Sequence, residues 1–131
     1  MLKGEKTMES KQLAIAIALA MDKKKAQEIR AVQVDDLTVL ADYFVMATGN
    51  STTQVSAIAD EVEFQLAQQD IRPLHIEGHD SKRWILMDYG DVIVHVFTPD
   101  AREFYDLEHL WADGKPLPLA DAINAQRETE A

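Results

Sequence analysis

The chain has 131 residues, of which 47% are hydrophobic and 27% are charged, and it contains no cysteine. This composition is typical of one globular domain, and it excludes a disulfide framework, a thiolate nucleophile and a cysteine zinc site. The 23 acidic and 13 basic residues give a formal net charge of -10. Such a charge argues against direct nucleic-acid binding, because phosphate backbones are bound by clustered cations, and favours a basic protein partner.

The first predicted element is a helix that follows a leader at residues 1–7. Thr7 can cap this helix, which we expect to run to about Lys24. Its apolar stretch from Leu13 to Met21 is far shorter than the roughly 20 residues that span a bilayer, and the acidic residues before it are atypical of a secretory signal. We therefore predict a buried helix and no membrane segment. The lack of cysteine is compatible with a cytoplasmic protein.

Two strands and a second helix are predicted next. The first strand is Ile29–Val34, and the second, Tyr43–Thr48, has no polar face and should be covered on both sides. Ser51 and Gln54 have the spacing of a capping box. They predict a helix that continues to about Asp70, with one apolar stripe facing the core.

A short strand and a hairpin follow. Pro73–Glu77 is predicted to be an edge strand, because proline cannot donate to a neighbouring strand. Trp84–Met87 and Val92–Phe97 are separated by a short turn, which predicts an antiparallel hairpin with Gly90 at positive φ.

The last predicted helix begins at Asp100, which has the capping-box spacing with Glu103. Its apolar stripe is Phe104, Leu107 and Trp111. We expect the domain to end at residue 113. Residues 114–131 contain two prolines and are predicted to form a flexible or loosely docked C-terminal extension.

The order of these elements predicts the fold class. It lacks the strict alternation of a doubly wound parallel sheet, and therefore indicates an α/β protein with a mixed β-sheet flanked by helices. The Tyr43–Thr48 strand and a later strand should run parallel, joined by a right-handed crossover.

The sequence gives little support to catalysis. Gly49 lies between a strand and a helix, where free amides can bind phosphate, but no glycine-rich nucleotide motif is present. A two-metal site needs two carboxylates on alternate strand positions, and Asp91 has Tyr89 and Ile93 at those positions. A nucleotide-binding or nucleotidyl-transfer enzyme is the alternative hypothesis.

The histidines do not predict a metal site. His75 and His79 have the spacing of a helical metal pair, but Pro73 and Gly78 make that segment a poor helix. His95 lies in an apolar strand, where a core histidine is a better interpretation than a general base.

The hairpin favours protein contact. Trp84, Leu86 and Asp88 share one face of their strand, while Met87 and Tyr89 share the other. Aromatic residues inside an acidic rim are typical of a binding hot spot. The alternative is that Trp84 fills the core.

Three blocks of the sequence resemble the ribosomal silencing factor (Iojap-related) family. They are A-D-Y-F-V-M-A-T-G-N-S-T-T-Q-V-S-A-I-A-D, I-E-G-H-D-S-K-R-W-I-L-M-D-Y-G-D-V-I-V-H-V-F and R-E-F-Y-D-L-E-H-L-W-A-D. The resemblance covers residues 8–113, and the second and third blocks are highly specific. The leader and the C-terminal extension lie outside it.

This resemblance implies a nucleotidyltransferase-like fold that lacks the catalytic carboxylates. It implies a factor that binds ribosomal protein uL14 on the large ribosomal subunit, blocks association with the small subunit, and represses translation under nutrient limitation or in stationary phase. No catalytic residue, cofactor or metal is expected. We expect partner contacts from Glu77, Gly78, Trp84, Leu86, Met87, Asp88 and Tyr89. A homodimer through the same apolar surface is compatible with this role.

Overall fold

The computed structural model describes residues 8–130, which form one six-stranded sheet and five helices. The helices are α1 (Ser10–Lys23), α2 (Thr52–Ala67), α3 (Pro99–Tyr105), α4 (Leu107–Leu110) and α5 (Ala120–Glu130). The strands are β1 (Gln27–Gln33), β2 (Tyr43–Thr48), β3 (His75–Glu77), β4 (Trp84–Asp88), β5 (Val92–Phe97) and β6 (Lys115–Leu117). Within residues 8–130, no helix is long and apolar enough to cross a membrane.

The strands lie in the order β3-β4-β5-β2-β1-β6. β2 and β5 are parallel, with Tyr43 opposite Val92 and Thr48 opposite Phe97, and the other neighbours are antiparallel. The predicted mixed sheet and parallel strand pair are therefore confirmed. All six residues of β2 are buried, as its mostly apolar sequence without a polar face predicts for a central strand.

The main core lies between one face of the sheet and helices α1 and α2. Small residues on α1, including Ala14 and Ala18, are fully buried and let this helix pack closely. The buried residues of α2 are Val55, Ile58, Ala59, Val62 and Leu66, which repeat at helical spacing. One sheet face is thus closed by helices.

The start of α2 forms as its sequence predicts. Ser51 Oγ accepts a hydrogen bond from the Gln54 amide at 3.1 Å, and Gln54 Oε1 accepts one from the Asn50 amide at 2.6 Å. The side chain of Gln54 also donates to the carbonyls of Lys24 and Lys25. These bonds fasten the start of α2 to the turn that follows α1. The predicted cap of α1, Thr7, lies outside the described residues.

The predicted third helix is interrupted. Thr98, not Asp100, precedes its first turn, and Asp100 accepts a hydrogen bond from the Thr98 hydroxyl at 2.6 Å. Asp106 adopts the left-handed conformation with φ 48°, which separates α3 from α4. Phe104 is consequently 78% exposed rather than part of a core stripe.

Residues 115–130 contain a strand and a helix, where the sequence predicted a flexible or loosely docked extension. β6 pairs with β1 at the sheet edge, and α5 packs beside α1. Arg127 on α5 forms a two-point ion pair with the buried Asp22 of α1, at 2.6 and 3.0 Å. Gln126 donates a hydrogen bond to the Leu19 carbonyl at 2.9 Å. Polar contacts therefore hold the C-terminal helix in place.

Candidate functional site

The sheet face opposite α1 and α2 is only partly covered. Residues that pair across antiparallel strands point to the same side, and Leu86 pairs with both Glu77 on β3 and His95 on β5. Helices α3 and α4 cover the part of this face near Phe97 and leave another part accessible. We call the accessible part the open face; its residues are Glu77, Trp84, Leu86, Asp88 and Ile93.

Trp84 is the centre of an aromatic cluster at one end of the open face. Its ring centroid lies 5.5 Å from Phe97, 5.8 Å from His95 and 4.5 Å from Tyr105. The indole N–H donates a hydrogen bond to His95 Nδ1 at 3.1 Å. Trp84 is nevertheless only half-buried. It therefore packs inside the protein and remains partly accessible at the surface.

His95 is a core residue, 4% exposed, beneath Trp84. Because Nδ1 accepts the indole hydrogen bond, the neutral imidazole carries its proton on Nε2. Among the described residues, Nε2 has no hydrogen-bond partner. Burial lowers the pKa of His95 from 6.5 to about 4, because the charged ring would lose its hydration. The ring is neutral at pH 7 and serves as an acceptor for Trp84.

The buried histidine predicts a loss of stability in mild acid. The unfolded chain binds a proton near pH 6.5 and the folded chain only near pH 4, so stability is fully present above pH 6.5 and falls as the pH drops towards 4. Between pH 7 and pH 5 the expected loss is about 2 kcal/mol. Urea unfolding across this range measures it. His95→Gln retains an acceptor but does not titrate, and should lose much less stability. Equal losses in both proteins would contradict this role of His95.

Two of the predicted contact residues lie on the covered sheet face. Met87 is 1% exposed and Tyr89 is 9% exposed, and both belong to the core under α1 and α2. Burial also raises the pKa of the Tyr89 hydroxyl. A partner on the open face would not touch either side chain, so we leave both out of the candidate surface.

Gly78 has an architectural role next to the open face. Its φ is 96°, and a Cβ added there would lie 2.0 Å from the carbonyl oxygen of Trp84. Only glycine fits this close approach. Gly78 therefore allows the loop after β3 to pass against the start of β4.

The acidic residues of the open face differ in their surroundings. Asp88 accepts a hydrogen bond from the Gly90 amide at 2.8 Å, which orders the turn between β4 and β5. Within the part of the chain that the structure describes, it forms no ion pair with lysine or arginine. Glu77 contacts His75, with 2.7 Å between the carboxylate oxygen and Nε2. Asp88 is thus available to a cation on a partner.

The region after β2 contains a different polar site. A surface cleft of about 370 Å³ is lined by Thr48 and Arg102 together with several acidic residues. The Arg102 guanidinium donates to both carboxylate oxygens of Glu108 at 3.0 Å, to Thr48 Oγ1 at 2.8 Å and to the Glu28 carbonyl at 2.9 Å. Because the guanidinium group of Arg102 already makes these internal hydrogen bonds, it is not free to bind a ligand. The surrounding carboxylates would also repel a nucleotide phosphate. Among residues 8–130, no group of three or more metal-ligand side chains is positioned to hold a metal ion.

Sequence reasoning missed two residues beside the open face. Tyr105 packs against Trp84, and Phe104 packs against Tyr105 with a centroid distance of 5.0 Å. The spacing of Phe104 suggested a core position, because the helix break at Asp106 was not expected. The exposed pair extends the aromatic surface onto α3.

Comparisons with known proteins identify the family. The family model described as "Ribosomal silencing factor during starvation" matches residues 7–131 and thus includes the C-terminal strand and helix. Ribosomal silencing factor RsfS of Bacillus subtilis is 44% identical over 114 residues, which cover 87% of this chain and 94% of that protein. The chloroplastic protein Iojap of Zea mays is 30% identical over 111 residues, which cover 85% of this chain and 48% of that protein.

Solved structures have the same fold. Protein CV0518 from Chromobacterium violaceum superposes with a TM-score of 0.78 at 36% identity, covering 80% of this chain and 88% of that one. A protein from Bacillus halodurans superposes with a TM-score of 0.70 at 40% identity, covering 82% of this chain and 95% of that one. With its sequence and its mixed sheet both matched, this chain belongs to the ribosomal silencing factor family.

Proposed function

We propose that this protein is a noncatalytic cytoplasmic factor that binds the large ribosomal subunit through ribosomal protein uL14. In this role it blocks association with the small subunit and represses translation under nutrient limitation or in stationary phase. The observation that carries the proposal is the open face, where a half-buried tryptophan and an acidic residue without a lysine or arginine partner among the described residues lie on the same side of β4. Membership of the ribosomal silencing factor family supports this choice.

The chemistry of the open face suits a basic ribosomal protein. Trp84, Leu86 and Ile93 offer apolar area at the centre, and Glu77 and Asp88 supply negative charge around it. An apolar centre within a polar rim is the usual anatomy of a protein interface. The net charge of -10 would speed association with a positively charged surface and weaken contact with exposed RNA.

The proposed mechanism is steric exclusion. A folded domain bound to the joining surface of the large subunit occupies volume that the small subunit needs. No covalent bond is made or broken, so the extent of repression depends on occupancy, which is set by the affinity and the protein concentration. We also infer that the fold is a nucleotidyltransferase-like scaffold without catalytic carboxylates. Titration calorimetry with nucleotide and magnesium should then give no binding heat.

Truncating the central anchor should weaken ribosome binding. Trp84→Ala removes the half-buried ring, and loss of an interface hot spot of about 2 kcal/mol corresponds to roughly 30-fold weaker binding. Cosedimentation with purified large subunits over a protein concentration series measures the change. Circular dichroism must show that the variant remains folded, since Trp84 also packs against Phe97. Undiminished binding by a folded variant would move the interface elsewhere.

A matched pair of charge reversals tests whether the negative charge of the open face contributes to binding of the large subunit. Asp88→Lys places a cation on the open face, and Asp60→Lys places one on the exposed side of α2. Both change the net charge equally, so they have the same effect on long-range attraction. Only Asp88→Lys should cause a large loss of binding to the subunit. Equal losses would indicate attraction by net charge alone.

A homodimer through the open face would compete with ribosome binding. Light scattering of the free protein, compared with the Asp88→Lys variant, tests this second use of the surface. A dimer that persists in the variant would have to use another surface.

A further inference from the structure

The end of α3 carries an aromatic pair that stays largely exposed in the folded chain. Phe104 is 78% exposed and Tyr105 is 48% exposed. The two rings meet edge to face, with centroids 5.0 Å apart and an interplanar angle of 88°. Tyr105 in turn contacts Trp84 of the open face, at a centroid distance of 4.5 Å. We call Phe104 and Tyr105 the aromatic ridge; it continues the open face without a gap.

Phe104 lies outside the part of α3 that is buried against the sheet. Ala101 and Arg102 face the sheet and are 1% and 7% exposed. Phe104 is rotated by about 200° from Arg102, since successive residues of a helix are rotated by about 100°, and its side chain remains exposed. An exposed phenylalanine ring buries little apolar area within its own fold and so contributes little to stability. Contiguous exposed apolar residues commonly mark an interaction site.

The ridge is held in a fixed position before any partner binds. Arg102, two residues before Phe104, is bonded to Glu108 of α4, Thr48 of β2 and the β1 backbone. The amide of Asp106 donates to the Arg102 carbonyl at 3.0 Å and closes the corner after the ridge. A rigid aromatic side chain loses little conformational entropy on binding, which favours affinity.

Charge around the ridge indicates the kind of partner. Glu103 and Asp106 are exposed on either side of it. Asp100, one turn earlier, is already paired with Arg83 at 2.6 Å. A ring flanked by carboxylates fits an apolar recess whose rim carries lysine or arginine. A second copy of this chain fits poorly as the partner, because two chains that each carry a net charge of -10 repel one another.

We propose that the aromatic ridge is a second anchor for the basic protein that covers the open face, with Phe104 inserted into an apolar recess on that protein. This proposal rests on the proposed function, because the partner is reached through the ribosome. It assigns a binding role to α3, outside the β-hairpin. The open face and the ridge together form one continuous surface of Leu86, Trp84, Tyr105 and Phe104.

Two exposed phenylalanines provide a matched test. Phe104→Ala removes the ridge anchor, while Phe64→Ala removes a 57% exposed ring on α2, at the other side of the sheet. Cosedimentation with purified large subunits should show about tenfold weaker binding for Phe104→Ala and no change for Phe64→Ala. Thermal unfolding of both variants should match that of the unsubstituted protein, since neither ring is buried.

The possible outcomes separate the two proposals. If the unsubstituted protein does not bind large subunits, the proposed function fails, and the ridge proposal fails with it. If that protein binds and Phe104→Ala binds equally well, only the ridge proposal is overturned. Equal weakening by Phe64→Ala would also overturn it, because the effect would not be specific to α3. A dimer of the free protein that Phe104→Ala dissociates would assign the ridge to self-association instead.

Discussion

Replacing Arg102 by methionine is expected to lower the free energy of unfolding by about 3 kcal/mol. The Arg102 side chain is 8% exposed and donates hydrogen bonds to Glu108, Thr48 and the Glu28 carbonyl. Methionine retains much of the volume but leaves these acceptors without their donor, and unmet buried polar groups are costly. Urea unfolding of the two proteins at pH 7 measures the difference.

Arg30 provides the control for this substitution. It contacts the same Glu108 carboxylate at 3.2 Å, but its side chain is 61% exposed. Exposed ion pairs contribute little to folding stability, so Arg30→Met should lower the free energy of unfolding by less than about 1 kcal/mol. Similar costs for the two variants would show that Arg102 acts only as a surface ion-pair partner.

The same substitution should change the response to acid. Hydrogen bonds from Arg102 hold the pKa of Glu108 below its ordinary value of 4.5. Stability from this pair is therefore present above pH 4.5 and lost as the pH falls further. Arg102→Met should reduce that part of the acid dependence, which begins below pH 4.5, whereas the loss of stability that comes from His95 begins already near pH 6.5.

Gly78→Ala is expected to be similarly damaging, with a loss of about 3 kcal/mol or more. An alanine Cβ would lie 2.0 Å from the Trp84 carbonyl oxygen, at a φ of 96°. The backbone of β3 and β4 must move apart to relieve this contact. Because β4 carries Trp84 and Leu86, we expect weaker binding to large ribosomal subunits as well. Urea unfolding and cosedimentation measure the two effects.

Gly90→Ala separates steric overlap from backbone strain. Gly90 also has a positive φ, 89°, but the nearest atom to an added Cβ is Leu74 Cδ1 at 3.7 Å. At Gly90 only the left-handed backbone conformation should disfavour alanine, and we expect Gly90→Ala to lower the free energy of unfolding by about 1 kcal/mol. If Gly90→Ala were as destabilising as Gly78→Ala, the close approach to Trp84 would not be the cause.

The central part of the fold was predictable because its signals are local. β2 is mostly apolar and has no polar face, and Ser51 and Gln54 form the capping contacts that their spacing indicates. The alternation along β4 correctly placed Trp84, Leu86 and Asp88 on one face. It did not indicate which face the helices cover, since Met87 and Tyr89 also suit an aromatic contact surface.

The C-terminal elements were missed for physical reasons. Pro116 and Pro118 indicated an irregular segment, but β6 lies at a sheet edge, where proline is tolerated. Helix α5 has no buried residue, so its sequence has no clear apolar stripe. Its ion pair with Asp22 joins residues far apart in the chain, and local patterns do not reveal such contacts.

The break after α3 was hidden in a different way. Phe104, Leu107 and Trp111 fit one continuous helix by spacing, but Asp106 turns left-handed between α3 and α4. Aspartate adopts that conformation more readily than most residues, although nothing in the sequence requires it here. The break turns Phe104 from an expected core residue into part of the exposed ridge.

A subunit-joining assay tests the central claim most directly. Purified large and small ribosomal subunits are mixed with increasing amounts of this protein, and the rate of particle assembly is followed by light scattering. Steric exclusion from the open face predicts that assembly slows as the protein saturates the large subunit, and that Trp84→Ala restores the rate at the same concentration. Assembly at the normal rate with large subunits saturated by the unsubstituted protein would contradict the account.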